Sequence, residues 1–323
     1  MAMEGDATSV MPSVVVRALE QLGGSPSEAM PLVSSRHAVW AVPTSERGLV
    51  AKVYCRNPRL WNCEVEAYRL FAGAVPLPRL LQAVWQSELR FGYTITEAVD
   101  GHSQADVLAR AAGEATQSFA AAGATLSALA ARGKVLVAEP GFPTDPLLEL
   151  GVGGTIFLEQ YLPEVRLLRR YLARPTYARL ERAIGRAAAT LVGVDRCVIV
   201  VHGDYQPKNI ITGPDAATIA GVIDWELARR APALADVASM LRFTNCDASD
   251  QAFLTSCCDI AGLTDPITAS RSWDILRISL GLARGNASAP DYSSWLAFLD
   301  ASIAWLLDGD QVSLRRAAPA ILR

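Results

Sequence analysis

Residues 197–226 read CVIVVHGDYQPKNIITGPDAATIAGVIDWE. Three short runs in this stretch, at 198–201, 209–211 and 219–223, are rich in β-branched residues and lie among Gly, Pro and Asp. This pattern is typical of buried strands that are joined by tight loops. Such strands would bring Asp204, Asn209 and Asp224 to one end of a small sheet. Two carboxylates and an amide at one place favour a cation with oxygen ligands, such as the Mg²⁺ that accompanies phosphates.

The spacing of these three residues matches a template for phosphoryl transfer. In that template a loop Asp accepts the proton of the attacking hydroxyl, an Asn five residues later binds metal, and a second Asp binds Mg²⁺. Here the loop is His-Gly-Asp, and Ile-Asp-Trp-Glu replaces the Asp-Phe-Gly of protein kinases. This variant resembles the aminoglycoside phosphotransferase and choline kinase-like family, and the resemblance extends from about Val33 to Leu241.

The resemblance implies an α+β, two-lobed protein-kinase-like fold. Its N-lobe would be a five-stranded antiparallel sheet plus a helix, and its C-lobe would be mainly helical. The chain of 323 residues exceeds the roughly 250–300 residues at which single cores stop growing, which also favours two lobes. We predict a nucleotide-binding N-lobe at 1–99, and a C-lobe at 100–323 that carries the catalytic loop, the metal site and the acceptor-binding helices.

Apolar periodicity predicts the elements of both lobes. Strands are expected at 39–42, 49–54, 82–85 and 93–99, with one more near 30. Helices are expected at 12–22, 59–73, 103–132, 175–193, 233–243, 266–284 and 291–308. The segment 133–153, rich in Pro and Gly, is predicted to be a loop or an insertion.

A lysine in the N-lobe is the first candidate for phosphate binding. Lys52 lies in the middle of a predicted strand, where an exposed edge lysine is the ordinary alternative. The resemblance implies that it holds the α- and β-phosphates and pairs with a glutamate of the following helix. We predict Glu66 as that partner, because it precedes Ala-Tyr-Arg-Leu as the glutamate of the family does. Glu64, about 200° away around the helix, is the alternative.

Two further N-lobe segments are implied by the resemblance. The loop that contains Ser34 and Ser35 would cover the phosphates, since backbone N–H groups and hydroxyls can cradle phosphate oxygens. An ordinary polar turn is the alternative for this loop. The turn-like exit at 97–101 would be the hinge, where the Glu97 carbonyl and the Val99 N–H would contact the purine base.

Three residues around the catalytic loop have predicted supporting or minor roles. His202 is expected to support the loop by packing and hydrogen bonding and not to react. Asp236 occupies the position of the family's structural aspartate, which hydrogen-bonds the catalytic-loop backbone; an aspartate that merely favours a helix N-terminus is the alternative. Lys208 is expected to be exposed to solvent, with a contact to the γ-phosphate as the alternative.

Composition and charge argue against several classes of protein. The net charge of −3 offers no electrostatic footprint for nucleic acid. The N-terminal residues lack the basic and apolar regions of a signal peptide, and the uncharged run 115–131 falls short of about 20 apolar residues, which predicts a core helix. The six cysteines form no Cys-x-x-Cys, which argues against zinc and for reduced thiols. A soluble, cytoplasmic protein without membrane or nucleic-acid partners is expected.

The predicted function is transfer of the γ-phosphoryl group of ATP or GTP, with Mg²⁺, to a hydroxyl of an antibiotic such as an aminoglycoside or a related natural product. Asp204 would be the base, and Asn209 and Asp224 would bind Mg²⁺. The alternatives are a metabolite kinase of the choline, homoserine or sugar type, and a nucleotide-binding pseudokinase. A protein kinase is disfavoured, because Asp224 and Asp236 are too close for an activation segment. Carboxylates and aromatic rings that could bind a cationic acceptor are Asp247, Asp250, Asp259, Trp273 and Trp295. Solvated helix caps and core residues are the alternative for all five.

Overall fold

A computed structural model describes residues 11–32, 37–55, 57–110, 112–154, 156–242, 248–257, 265–285 and 292–310. The strands are β1 Met30–Leu32, β2 Ala38–Val42, β3 Leu49–Cys55, β4 Leu80–Gln86, β5 Phe91–Glu97, β6 His102–Ser103, β7 Val198–Val201, β8 Ile210–Thr212, β9 Ile219–Val222 and β10 Arg229–Pro232. The helices are α1 Ser13–Gln21, α2 Pro58–Phe71, α3 Gln104–Arg110, α4 Ala112–Val135, α5 Pro146–Glu149, α6 Phe157–Val165, α7 Arg174–Thr190, α8 Leu234–Leu241, α9 Ala248–Cys257, α10 Pro266–Arg284 and α11 Tyr292–Asp308.

The predicted N-lobe sheet is confirmed. It has five strands in the order β1-β2-β3-β5-β4, and every neighbouring pair is antiparallel. Ala51 and Val53 of β3 join the apolar side chains of α1 in one cluster. Since side chains alternate between the two faces of a strand, Lys52 points away from that cluster, towards α2. The position of Lys52 therefore follows from the pleat of β3.

The helical region is built around α4 and α10. Helix α4 packs against α9 and β7, and α10 packs against α6, α7, α8 and α11. By length and composition alone, α4 and the turn after it could cross a membrane. Its side chains Phe119, Leu126 and Leu129 are fully buried in the large apolar cluster of this region, as expected for a core helix.

The segment 133–153 is more ordered than the sequence predicts. Helix α4 continues to Val135, and α5 follows at Pro146. Between them, Thr144 bridges Arg230 in parallel, and the Asp145 N–H donates to the Arg230 carbonyl at 2.8 Å. The insertion therefore supplies a hydrogen-bonding partner for one edge of β10.

The strands around the catalytic loop do not form the single small sheet that the sequence predicts. Strand β7 pairs with β10, whereas β8 and β9 form a separate sheet with β6. The reason is β10, which turns back after Asp224 and supplies the partner of β7. Its short Arg-Arg-Ala-Pro sequence shows none of the apolar pattern by which the other strands are recognised.

We expect the contact of α4 with α9 to be sensitive to a single methyl group. A Cβ atom on Gly123 would lie 2.4 Å from the Phe253 carbonyl oxygen and 2.8 Å from the Ser256 Cβ. Gly123→Ala should therefore destabilise the protein by about 1–3 kcal/mol, as overpacking does. Gly185→Ala is the matched control, because a Cβ there meets nothing within 4 Å in helix α7; it should stabilise by roughly 0.5–1 kcal/mol. Urea unfolding measures both, and equal effects would contradict this packing.

Candidate functional site

The loop after β7 is held by its backbone. The N–H groups of His202 and Gly203 donate to the two carboxylate oxygens of Asp236, each at 2.8 Å. Asp236 lies in the first turn of α8 and is fully buried. Burial raises the pKa of Asp236, and these two donors oppose that shift by stabilising the charged form. The predicted structural role of Asp236 is confirmed.

His202 also supports the loop, as predicted. Its Nδ1 accepts the Asp204 N–H at 3.2 Å, and its Nε2 lies 2.9 Å from the Ile223 carbonyl oxygen. The ring packs on Trp225, with 4.5 Å between centroids. These partners assign the proton to Nε2, because Nδ1 acts as an acceptor and Nε2 must then donate. The imidazole therefore ties the catalytic loop to the end of the β9 segment.

An arginine from β10 lies where a side chain on the loop glycine would project. Gly203 has φ +84°, and a Cβ on it would lie 2.1 Å from the Leu227 carbonyl oxygen and 2.5 Å from Arg229 Nη1. Arg229 Nη1 donates to the Gly203 carbonyl at 3.1 Å, and Arg229 Nε donates to Asp145 at 2.6 Å. The catalytic loop thus rests on Arg229, which the insertion anchors through Asp145. No motif in the sequence singled out either residue.

The structure brings Asp204 and Asn209 together. Asn209 Nδ2 donates to the Asp204 carboxylate at 3.0 Å and to the Asp204 carbonyl at 2.9 Å. Gln206 Nε2 donates to the same carboxylate oxygen, Oδ2, at 2.7 Å. Two amides therefore fix the orientation of the Asp204 side chain. Lys208, in the same loop, is exposed, as predicted.

The hairpin of β8 and β9 places Asn209 and Asp224 at the same end. Asn209 directly precedes β8, Asp224 follows β9, and the Ile223 N–H donates to the Asn209 carbonyl at 2.9 Å. Asp224 adopts a left-handed backbone conformation with φ +66°. Such a conformation is uncommon for a non-glycine residue and is found preferentially at functional sites.

Lys52 is surrounded by three carboxylates. Its Nζ lies 2.7 Å from Glu64, 2.5 Å from Asp224 and 2.8 Å from Glu226. Burial alone would lower the pKa of Lys52, but the negative charges around it outweigh burial and raise that pKa well above its ordinary value. The ammonium group therefore stays charged and joins β3, α2 and the Asp224 segment.

The prediction that Glu66 is the partner of Lys52 is wrong. Glu66 is held by Arg69, whose Nη2 donates to it at 2.6 Å, on the partly exposed side of α2. The buried side of α2 carries Glu64 together with Ala67 and Phe71. Residues two positions apart point about 200° apart on a helix, so only one of the two glutamates can face β3.

Glu226 and His37 belong to the site, although the sequence analysis gave them no role. Glu226 is buried, and its carboxylate lies 2.8 Å from His37 Nε2 as well as from Lys52. Burial opposes ionisation, but the hydrogen bond from His37 and the charge of Lys52 lower the pKa of Glu226 to about 2. Glu226 could have been found from the Asp-Trp-Glu sequence, because it places a second carboxylate two residues after Asp224.

Two sets of side-chain oxygen atoms in the site are candidates for binding a metal ion. Among the described residues, oxygens of Glu64, Asp224 and Glu226 lie within 4.8 Å of one another, but the Lys52 ammonium already lies close to all three. The other set is the Asp224 carboxylate, whose side chain is 35% exposed, and the amide oxygen of Asn209. Since Asn209 uses its Nδ2 to bind Asp204, its oxygen is left for a hard cation, and this donor set fits Mg²⁺.

The remaining predicted nucleotide contacts stay predictions. Ser34 and Ser35 lie outside the described residues. Glu97 ends β5, and its carboxylate pairs with Arg79, which lowers the pKa of Glu97. Val99 packs on β9, where a Cβ on Gly221 would come within 2.9 Å of a Val99 methyl group. The segment after β5 thus runs closely over β9.

A family model and several solved structures match this chain. A family model described as the phosphotransferase enzyme family (APH) matches residues 30–268. A search of curated proteins finds no match.

Several solved aminoglycoside phosphotransferases share the fold at low sequence identity. A thermostable mutant of APH(4)-Ia in complex with ADP and hygromycin B is 19% identical with a TM-score of 0.61, over 96% of this chain and 99% of that chain. The GDP complex of aminoglycoside 2'-phosphotransferase-IIIa is 14% identical with a TM-score of 0.66, over 90% and 97%. A GDP and kanamycin complex of an APH(2") enzyme is 15% identical with a TM-score of 0.64, over 90% and 99%.

The family model covers well over half of the chain, from β1 into α10, and therefore includes every residue of the site described above. The chain belongs to the phosphotransferase enzyme family, and it is a phosphotransferase that acts on hydroxyl groups.

Proposed function

We propose that this protein transfers the γ-phosphoryl group of ATP or GTP to a hydroxyl of an antibiotic or a related hydroxylated natural product. Residues 1–99 form the nucleotide-binding lobe, and residues 100–323 carry catalysis and acceptor binding. The observation that carries the proposal is the pairing of Asp204 with Asn209 beside the Lys52–Asp224 ion pair. Solved neighbours that contain ADP, AMP-PNP or GDP, some of them with hygromycin B or kanamycin, support a nucleotide donor and a hydroxylated acceptor. A cytoplasmic location is part of the proposal.

Asp204 is the proposed base. The transition state of phosphoryl transfer is loose, so catalysis depends mostly on positioning and charge neutralisation. The Asp204 carboxylate accepts the hydrogen bond of the acceptor hydroxyl and takes its proton as the phosphoryl group is transferred. The amides of Gln206 and Asn209 hold the carboxylate in one orientation for this step.

Lys52, Asn209 and Asp224 are the proposed ligands of the nucleotide and its metal. Asn209 and Asp224 would hold Mg²⁺, which supplies neutralisation of phosphate charge when bound. Lys52 binds the α- and β-phosphate oxygens, and Glu64 and Glu226 keep its ammonium group in place. Because three carboxylates share this lysine, Asp224 can turn towards a metal while Glu64 and Glu226 still hold Lys52.

A screen of acceptors tests the function directly. The purified protein is incubated with Mg²⁺ and ATP or GTP against a panel of hydroxylated antibiotics and of choline-, homoserine- and sugar-type metabolites. We expect an antibiotic-type acceptor to gain the mass of one phosphoryl group. Transfer to a metabolite alone would replace the antibiotic assignment. Tight nucleotide binding with transfer to nothing in the panel would favour a pseudokinase.

Asp204→Asn tests the base. Asparagine keeps the shape of the side chain but cannot receive the proton of the acceptor. We expect turnover to fall by at least about 10²-fold, which is about 2.7 kcal/mol of transition-state stabilisation. Nucleotide affinity, measured by calorimetry, should barely change, since other residues bind the phosphates. A variant that phosphorylates the acceptor at a similar rate would show that Asp204 is not the base.

Asp224→Ala tests the metal site. The variant should lose the part of nucleotide affinity that depends on Mg²⁺, because the carboxylate is a proposed ligand and its side chain is partly exposed. Calorimetric titration of ATP with Mg²⁺ and with a chelator measures this dependence. The wild type in chelator should resemble the variant in Mg²⁺. Unchanged MgATP affinity of the variant would contradict the assignment.

Glu64→Gln and Glu66→Gln form a matched pair. Glutamine at 64 keeps the packing of α2 but removes a charge that holds Lys52, so kcat/KM for the nucleotide should fall about tenfold, or ~1.4 kcal/mol. The same change at 66 breaks only a contact with Arg69 at the partly exposed side of α2 and should have little effect. Steady-state kinetics with varied nucleotide compares them. A larger loss at 66 would restore the prediction made from the sequence.

A further inference from the structure

Two arginines converge on one buried carboxylate beside the catalytic loop. Asp145 Oδ2 accepts Arg229 Nε at 2.6 Å, and Arg277 Nε lies 3.5 Å from the same oxygen. The other carboxylate oxygen, Oδ1, accepts the Leu147 N–H at 2.9 Å and caps α5. One negative charge therefore faces two positive charges, and of the two arginines Arg229 makes the hydrogen bond.

Arg277 is the arginine whose charge is less well balanced. Its side chain is 32% exposed, and Asp145 is its ion-pair partner within the described part of the chain. Its Nε is buried and makes no hydrogen bond there. Burial and the neighbouring charge of Arg229 lower the pKa of Arg277 to about 10. An anion at this guanidinium would offset both effects.

One arginine of this pair contacts the loop that carries Asp204. Arg229 donates through Nη1 to the carbonyl of Gly203, the residue before Asp204. Arg277 itself lies in α10, one of the helices after 233 that are predicted to bind the acceptor. Asp145, which accepts a hydrogen bond from Arg229 and faces Arg277, therefore links Arg277 with the catalytic loop.

Several acidic and aromatic residues of α9, α10 and α11, and of α6 beside α10, are already engaged or buried. Asp274 accepts Arg242 at 3.0 and 2.5 Å, and Glu164 accepts Arg284 at 2.5 and 2.7 Å. Of the predicted ligands for a cationic acceptor, Asp247 and Asp259 lie outside the described residues, while Asp250 and Trp273 are buried. Trp295 faces a cation of the protein itself, with the Arg242 guanidinium 5.8 Å from its ring centre.

We propose that Arg277 binds an anionic group, a carboxylate or a phosphate, of the acceptor. A planar guanidinium can form two parallel hydrogen bonds to either group, which fixes the orientation of the acceptor as well as adding affinity. The inference rests on the proposed function and narrows its acceptor to hydroxylated acids, as opposed to polycationic aminoglycosides.

Three hydroxylated six-carbon compounds of different charge test this inference. Gluconate is anionic, glucose is neutral and glucosamine is cationic. Their dissociation constants are measured by NMR titration on protein saturated with AMP-PNP and Mg²⁺. We expect the wild type to bind gluconate at least fivefold more tightly than glucosamine. Arg277→Gln should reduce this ratio to within about twofold, and Arg277→Lys, which keeps the charge, should retain part of it.

Arg182→Gln is the control, because Arg182 is exposed on α7; it should keep the preference of the wild type. Circular dichroism and the midpoint of thermal unfolding establish that each variant is folded. The proposal is overturned if the wild type binds glucosamine as tightly as gluconate, if gluconate does not bind at its solubility limit, or if Arg277→Gln keeps the preference. The acceptor screen is a separate experiment: efficient phosphorylation of kanamycin or hygromycin B would overturn the anion site and leave the kinase function intact.

Discussion

The ion cluster around Lys52 is the interaction on which the two parts of the molecule depend. Its ammonium group joins a strand of the N-terminal sheet, the helix behind that sheet, and the segment that follows β9. Removing charges from water is costly, and three carboxylates around one ammonium leave an excess of negative charge. Phosphates that approach Lys52 would add more negative charge beside these carboxylates. A further positive charge is needed to offset the repulsion. Under the proposed function, the binding of a nucleotide would therefore be coupled to the binding of its cation.

The catalytic loop must also be held in one conformation. Most of the groups that hold it lie outside the loop. Asp236 accepts two backbone N–H groups, His202 bridges to the Ile223 carbonyl, and Arg229 donates to the Gly203 carbonyl. The contacts of Asp236 and Arg229 use the backbone of the loop, and the contact of His202 uses its imidazole ring. The side chain of Asp204 takes no part in holding the loop to the rest of the protein. Its carboxylate accepts hydrogen bonds only from the neighbouring amides of Gln206 and Asn209 among the described residues. Rigid support of this kind is what general-base catalysis by a carboxylate requires.

The fold and the central residues of the site could be predicted from the sequence. The predictions that failed, and the residues that were missed, have identifiable physical causes. The apolar periodicity predicted the individual strands, because that pattern is local in the chain. The resemblance, which rests on the spacing from Asp204 to Asn209 and Asp224, implied the five-stranded sheet. The choice of Glu66 over Glu64 failed, since the rotation of α2 depends on which side packs on the sheet. Asp145, Arg229 and Arg277 could not be found, because their meeting joins an insertion, a short polar strand and a distant helix.

The short connection between Asp224 and Asp236 bears on how the protein is controlled. Strand β10 lies in the middle of that connection, and it is hydrogen-bonded on one edge to β7 and on the other to the insertion at 143–145. In protein kinases the corresponding stretch is a long segment that is ordered by phosphorylation and so turns the enzyme on. A strand that is fixed on both edges cannot be reordered in this way. The described residues between Asp224 and Asp236 therefore contain no long segment that phosphorylation could order.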